Sequence, residues 1–119
     1  MQVVARAVVS VDSEPQSIEI TPADIRRGYV DLDQPIVVRV RTNSRRGYML
    51  QVNNDSETFS TIELALPNAA MTVSSHESWL QRPYVPGGDV MAVRARLHLA
   101  PGASAGRQPV PVAFTASPL

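Results

Sequence analysis

The sequence predicts an all-β domain, an antiparallel immunoglobulin-like β-sandwich with Greek-key connections and about eight or nine short strands. Apolar residues recur with period two in many segments, and the longer period of an amphipathic helix is missing. Turn signals rich in Pro, Gly, Asn and Asp separate these segments at intervals of about eight to twelve residues, a spacing typical of sandwiches. A small closed barrel is the alternative.

Composition excludes several classes of protein. The chain has 119 residues, 44% of them hydrophobic and 18% charged, with no cysteine and a formal net charge of zero. This length predicts one domain over residues 1–119. The apolar content is too high for a disordered chain. No apolar run approaches the roughly 20 residues of a membrane helix, so we expect no membrane insertion. The balanced charge argues against a nucleic-acid partner.

The first half of the chain alternates strands with turns. The pattern predicts a strand over 3–11, a turn at Asp12–Pro15 and a second strand from Ile18. Pro22 ends that strand because it lacks a ladder donor, and 22–27 is expected to form one helical turn. The predicted segments that follow are an extended stretch at 28–32, a strand at 36–42, a connection at 43–47 with Gly47 at positive φ, and a strand from Tyr48 to Asn53.

The second half contains the longest predicted strand. Alternation predicts strands at 61–66, 71–75 and 90–99, whereas 79–85 is interrupted by prolines and is expected to be irregular. A Pro-Gly loop at 101–106 precedes a last strand at 108–117. The inward faces of these strands define the expected core: Val38, Val40, Leu50, Val52, Ile62, Leu64, Val93, Leu97, Val112 and Phe114.

Catalysis is not expected. The two histidines are His76 and His98. A nucleophilic serine would need one of them as base. The segment Ser74–Glu77 holds Ser, His and Glu, but neighbouring residues on a strand point to opposite faces, and the Gly-x-Ser-x-Gly pattern is missing. We interpret the segment as a polar loop.

Metal binding is also not expected, and no cofactor is predicted. Met49, Met71, Met91, His76 and His98 are residue types that bind copper, and a periplasmic copper-binding or ligand-binding β-sandwich is the alternative function. However, Met91 and His98 are predicted on opposite faces of one strand. The acidic segments 53–57 and 31–33 offer oxygen ligands for calcium without matching an EF-hand loop. We interpret both as ordinary turns.

Arginines are predicted on outward strand faces. Arg39 and Arg41 lie on one strand, Arg94 and Arg96 on another, and Arg45–Arg46 at a connection. If the two strands are neighbours, four guanidinium groups would form a basic stripe for phosphate or an acidic glycan. We expect instead a solvated face paired with Glu19, Glu57 or Glu63.

Several short motifs resemble a known group of proteins. The segments Ile18–Ile20, Asp24–Ile25, Gly28–Val30, Val40–Ser44 and Gly47–Leu50 are similar to small secreted β-sandwich proteins of Gram-negative bacteria. The closing Leu97–Leu99, Pro101–Gly102 and Pro109–Val112 resemble the end of fimbrial subunits and of the spore coat protein U-like family of archaic chaperone–usher pili. The chain departs from them in lacking the usual cysteine pair and in having a full last strand. The resemblance implies an exported envelope protein with an immunoglobulin-like fold.

We therefore expect a non-enzymatic structural or interaction module of the bacterial cell envelope, in the periplasm or at the cell surface. Met1 is expected to be an initiator placed on a mature sequence whose leader has been removed. Residues 2–11 are the segment expected to make the functional contact, by pairing in their own domain or with another subunit. The partner is then a protein, or a second copy bound by strand pairing.

Overall fold

The computed structural model describes residues 4–74 and 77–119. The chain is all-β with antiparallel sheets, as predicted, and this arrangement is compatible with a β-sandwich. The described residues form more strands than expected, together with one short helix. In chain order they are β1 (Ala7–Ser13), β2 (Ile18–Ile20), α1 (Pro22–Arg27), β3 (Tyr29–Asp31), β4 (Ile36–Thr42), β5 (Tyr48–Asn54), β6 (Phe59–Leu66), β7 (Ala69–Val73), β8 (Glu77–Arg82), β9 (Asp89–Leu99), β10 (Gly106–Gln108) and β11 (Val112–Pro118).

The larger sheet is built around β9. Its strand order is β1-β4-β9-β6-β7, and β3 also pairs with β9. The first half of β9 pairs with β4 and the second half with β3, so β3 and β4 follow one another along the same side. The smaller sheet has the order β11-β5-β8, and β10 pairs with β2 in a separate ribbon.

The core consists of the inward side chains of both sheets. Val38, Val93 and Leu97 from the larger sheet are fully buried, as are Leu50 and Val52 from the smaller one. All ten residues predicted from alternation are buried, which confirms the predicted faces. One contiguous cluster contains them.

The predicted helical turn at 22–27 is confirmed as α1. Thr21 caps it: its hydroxyl accepts from the Asp24 N–H, and its own N–H donates to the Asp24 carboxylate at 2.9 Å. That backbone hydrogen bond lowers the pKa of Asp24 below its ordinary value. Gly28 ends the helix at φ 89°, a conformation that glycine adopts without steric cost.

Several predicted boundaries are wrong. The first strand begins at Ala7 and not at residue 3, and the strand predicted over 71–75 is β7, Ala69–Val73. The first strand continues to Ser13, with a shift in its register against β4 between Val11 and Ser13. The turn therefore begins later than expected. Residues 77–82, expected to be partly irregular, form β8 and pair with β5 along their whole length. The last strand begins at Val112 because Pro109 and Pro111 interrupt it, and Gln108 belongs to β10.

Candidate functional site

Two sheet edges meet beside the N-terminal strand. β1 is the last strand on one side of the larger sheet, and β11 is the last strand on one side of the smaller sheet. The two strands are in contact, although no ladder joins them in the described part of the chain. Edge strands present unpaired N–H and C=O groups that accept another strand. This pair of edges, the β1/β11 edge, is the candidate interface.

The N-terminal strand pairs with β4 of the same chain. Ala7 and Val9 pack partly against the core, whereas Val8 is 63% exposed and Val11 is 41% exposed. Val4, in front of the strand, is 65% exposed. The candidate interface therefore carries exposed β-branched side chains at a sheet edge. Residues 2–3 of the predicted pairing segment lie outside the described residues.

The first described residues and the C-terminal residue lie at the connection between β4 and β5. The Leu119 N–H donates to the Gly47 carbonyl at 3.1 Å, and the Ser44 hydroxyl donates to the Leu119 carbonyl. The start of β1 lies at the same connection, because the Arg6 carbonyl accepts from the Asn43 N–H. β1 and β11 consequently run antiparallel to each other from this end of the molecule.

The predicted arginine stripe is interrupted. β4 and β9 are neighbours, but Arg39 lies opposite Val90. Arg94 lies four residues beyond Val90 on β9, which is about 13 Å along the strand. Val37 and Ala92 lie between them. Arg41, Arg94 and Arg96 are exposed as predicted, whereas Arg39 is half-buried.

The arginines also have other partners than expected. Arg39 binds Asp12 at 3.0 Å, and Arg96 binds both carboxylate oxygens of Asp31 at 2.7 and 3.2 Å. The Arg96 hydrogen bonds lower the pKa of Asp31 below its ordinary value. The Arg96 guanidinium also lies 4.2 Å from the centroid of the Tyr29 ring. Of the three predicted acidic partners, Glu63 does lie opposite Arg96, but its carboxylate binds a histidine.

His98 and Glu63 form a carboxylate–imidazole pair on the outer face of the larger sheet. The His98 Nε2 lies 2.9 Å from a Glu63 carboxylate oxygen. Such a pair orients a general base in hydrolases. Within residues 4–74 and 77–119, the side-chain partner of the His98 ring is Glu63, and the Ser60 hydroxyl contacts the His98 backbone carbonyl instead. In the segment Ser74–Glu77, which also holds Ser, His and Glu, Ser75 and His76 lie outside the described residues. The Glu77 carboxylate binds Gln51.

The considered copper ligands are dispersed. Met91 is fully buried and Met71 nearly so, whereas His98 lies on the outer face, as the opposite-face prediction requires. Met49 is half-buried on the outward side of β5. The described residues contain no cluster of three His, Asp or Glu side chains that could hold a metal ion.

The acidic segment 53–57 uses its polar atoms in a turn. The buried Asn54 amide donates to the Phe59 carbonyl at 2.9 Å and accepts from the Ser56 N–H at 3.1 Å. The Ser56 hydroxyl accepts from the Thr58 N–H. The segment borders a cavity of about 620 Å³ whose lining includes Asn53, Asp55, Ser60, Ser74 and Glu77. The segment is therefore held by its own hydrogen bonds and leaves an open polar cavity beside it.

Sequence reasoning missed Trp79. The residue is 50% exposed on β8, in the stretch expected to be irregular. On β8, Ser78, Leu80 and Arg82 are half-buried and the residues between them are exposed. Only Leu80 of the inward three is apolar, so the sequence shows no apolar alternation there.

Comparison of the chain with family models, with curated proteins and with solved structures gave no match. In the part of the chain that the structure describes, no helix has the length and apolar character needed to cross a bilayer.

Proposed function

We propose that the chain is a non-enzymatic structural or interaction module, exported to the bacterial periplasm or cell surface, that associates with a second copy by strand pairing. The observation that carries the proposal is the β1/β11 edge, where the last strands of two sheets lie side by side without a ladder between them. A strand added along either of these edges would find unpaired backbone donors and acceptors.

An immunoglobulin-like Greek key is the fold that we propose within the all-β class. In that fold the first sheet has the order A-B-E-D, and strand C pairs with strand F in the second. The order β1-β4-β9-β6 supports the first assignment, and the pairing of β5 with β11 supports the second. Several features depart from the pattern. β2, α1 and β3 lie between A and B in the chain, and β7 and β8 lie between D and E. β8 lies beside β5, and no described strand takes the place of G beside β11.

The exposed valines support association at this edge. Proteins commonly protect an edge strand with charged residues or proline. β1 instead presents Val8 and Val11 to solvent. A second copy that covered this edge would remove apolar surface from water and satisfy backbone groups at once. The resemblance to secreted fimbrial and coat subunits implies export and an immunoglobulin-like fold, and the proposed association rests on the β1/β11 edge alone.

The function is proposed as non-enzymatic because the polar groups of the larger sheet hold one another. Arg96 binds Asp31, and His98 binds Glu63, on an open surface. Nucleophilic catalysis needs a base beside a nucleophile, and catalytic groups work best in a pocket that excludes water. An interaction module has no such requirement.

The experiment measures the oligomeric state by light scattering over a range of concentrations. The full chain should associate, and Val8→Lys should weaken association without changing thermal unfolding, because a charge protects an edge strand. Val90→Lys is the matched control: Val90 is 50% exposed on the same sheet, but on the central strand β9. A full chain that stays monomeric, or one that both variants affect equally, would contradict the proposal.

Deleting residues 2–11 distinguishes two forms of strand pairing. If β1 completes its own domain, the shortened chain loses cooperative unfolding. If β1 is exchanged between copies, the shortened chain stays folded, becomes monomeric and binds a peptide of residues 2–11. The control peptide carries Asp in place of Ala7 and Val9, whose side chains pack partly against the core. A shortened chain that is folded, as oligomeric as before and indifferent to the peptide refutes both forms.

A further inference from the structure

The outer face of the smaller sheet carries an exposed tryptophan in a row of polar side chains. Thr115 on β11 lies opposite Gln51 on β5, and Gln51 lies opposite Trp79 on β8. Residues opposite each other in an antiparallel pair share a face, with their Cβ atoms about 4.5–5.5 Å apart. Trp79 therefore stands beside Gln51, half exposed, on β8, at the opposite edge of the smaller sheet from β11.

The polar side chains of this face are held by one another. The Thr115 hydroxyl donates to the Gln51 carbonyl oxygen at 3.0 Å. The Gln51 amide nitrogen donates to the Asn53 side-chain oxygen at 3.2 Å and to the Glu77 carboxylate. Gln51 is thereby fixed in one orientation, and four side chains from three strands form one network. Groups ordered before a ligand arrives lose less conformational entropy when they bind it.

We propose that this face binds an uncharged carbohydrate, with Trp79 as the stacking residue. A pyranose ring has one face of C–H groups and a rim of hydroxyls. The indole ring offers a flat apolar face and a single N–H donor. The amides, the carboxylate and the hydroxyl beside it supply the donors and acceptors that a sugar rim needs.

Charge disfavours an anionic ligand. The strand registers place Met49, Gln81 and Ser117 in the next row of this face, and Ala113, Asn53 and Glu77 in the row on the other side. Glu77 is the one charged side chain in these three rows of described residues. A sulfated or phosphorylated glycan would meet a carboxylate here and no cation.

A carbohydrate fits this face better than a protein partner. Protein interfaces are centred on clustered, desolvated anchors such as several aromatic or Arg side chains. Here the direct neighbours of Trp79 on this face are Gln51 across the ladder and Glu77 and Gln81 along β8, none of which is aromatic or Arg. Asn53 and Glu77 also border the cavity of about 620 Å³, a volume within the roughly 300–1,000 Å³ range of small-molecule sites. The platform thus continues into a recess with room for more than one sugar unit.

The experiment uses the full chain and three neutral probes: cellohexaose, maltohexaose and chitohexaose. Trp79 is the only tryptophan, so indole emission reports this site alone. We expect a saturable change in emission and calorimetric heat with at least one probe, with a Kd near about 1 mM or below. Trp79→Ala should abolish the heat, Trp79→Phe should retain weaker binding, and Gln51→Ala should weaken it about tenfold through loss of the fixed network.

Arg94→Ala is the matched control, because the Arg94 side chain is also exposed but lies on the outer face of the other sheet. It should bind the probes as the wild type does, and circular dichroism should show all variants folded. No saturable response with any probe overturns the proposal, as does binding that survives Trp79→Ala. Binding of dextran sulfate alone, lost in Arg94→Ala, would place a glycan site on the other sheet and equally overturn it. Each result is independent of the oligomeric state and therefore of the proposed association.

Discussion

Asn43 and Arg6 bind each other reciprocally at the point where the N-terminal strand begins. The Arg6 N–H donates to the Asn43 side-chain oxygen at 2.7 Å, and the Asn43 N–H donates to the Arg6 carbonyl at 3.2 Å. The Asn43 side-chain amide also donates to the Val4 carbonyl at 2.9 Å. One side chain thus extends the pairing of β1 with β4 by residues 4–6, beyond the end of the strand.

Asn43→Ala should release this N-terminal extension. The substitution removes two hydrogen bonds and leaves the backbone bond from residue 43 to Arg6. We expect faster amide hydrogen exchange at Arg6, with little change at Val38 in the middle of β4. Ser44→Ala removes a bond to the C-terminal Leu119 instead and is the matched control. Equal protection of Arg6 in the wild type and in Asn43→Ala would show that the amide does not hold the segment.

Gly47 and Gly102 make a matched pair for backbone substitution. Both have positive φ, at 98° and 82°. A Cβ on Gly47 would lie 2.2 Å from the Arg82 carbonyl oxygen, whereas one on Gly102 would meet nothing within 4 Å. Gly47→Ala should therefore destabilise far more than Gly102→Ala, whose cost is limited to the conformational strain of about 1–3 kcal/mol. Denaturant unfolding measures both, and equal midpoints would contradict the close approach of the β4–β5 connection to β8.

Leu97→Ala should cost about 2–5 kcal/mol of unfolding free energy, because it removes buried methyl groups and leaves a cavity. Leu97 is fully buried on β9 between its pairings with β3 and β6. Arg94→Ala, three residues earlier on the exposed face, should leave the midpoint nearly unchanged. Urea unfolding of both variants checks the assignment, and a wild-type midpoint for Leu97→Ala would refute it.

The alternation of apolar and polar residues predicted a strand correctly where the segment's own residues define both its bounds and its buried face. β4 has the predicted bounds, Ile36–Thr42, because Pro35 precedes a clean alternation of inward and outward residues. β8 was missed because its inward side contains polar Ser78, and two prolines follow closely. What makes 77–82 a strand is its ladder with β5. Trp79 pairs with Gln51, which lies 28 residues earlier in the chain, and such a partner is not visible in a local pattern.

The surface sites depended still more on register. Arg39 and Asp12 pair because β1 lies beside β4, and Arg96 and Asp31 pair because β3 lies beside β9. The charge pattern alone predicted Glu19, Glu57 or Glu63 as the partners of these arginines, because the order of the strands cannot be derived from the positions of the charges. The Thr115–Gln51–Trp79 row likewise joins three distant segments. Its members become neighbours only when the order β11-β5-β8 is known.

The Asp31–Arg96 pair should make stability depend on acidic pH. The Arg96 hydrogen bonds lower the pKa of Asp31 in the folded chain. A lowered pKa adds stability above the unfolded value of about 3.9, and that stability is lost as pH falls through the folded value. Arg96→Gln should therefore flatten the loss of stability in acid, as followed by thermal unfolding. Arg94→Gln, which lies opposite Ala65, should keep the wild-type slope; equal slopes for all three proteins would contradict the role of the pair.

Tyr48 should limit stability at alkaline pH. Its side chain is fully buried, and its hydroxyl donates to Asp89 at 3.1 Å. Burial, aided by the Asp89 charge, raises the pKa of Tyr48 to about 12. A raised pKa contributes stability below the unfolded value of about 10, and this stability is lost as pH rises through the folded value. Tyr48→Phe has no proton to lose there, so its stability, although lower at neutral pH by about 0.5–1.5 kcal/mol, should approach that of the wild type in alkali. Tyr84→Phe, which removes a half-buried phenol instead, should lose stability in alkali as the wild type does. Parallel pH curves for the wild type and Tyr48→Phe would show that the buried hydroxyl is not the group responsible.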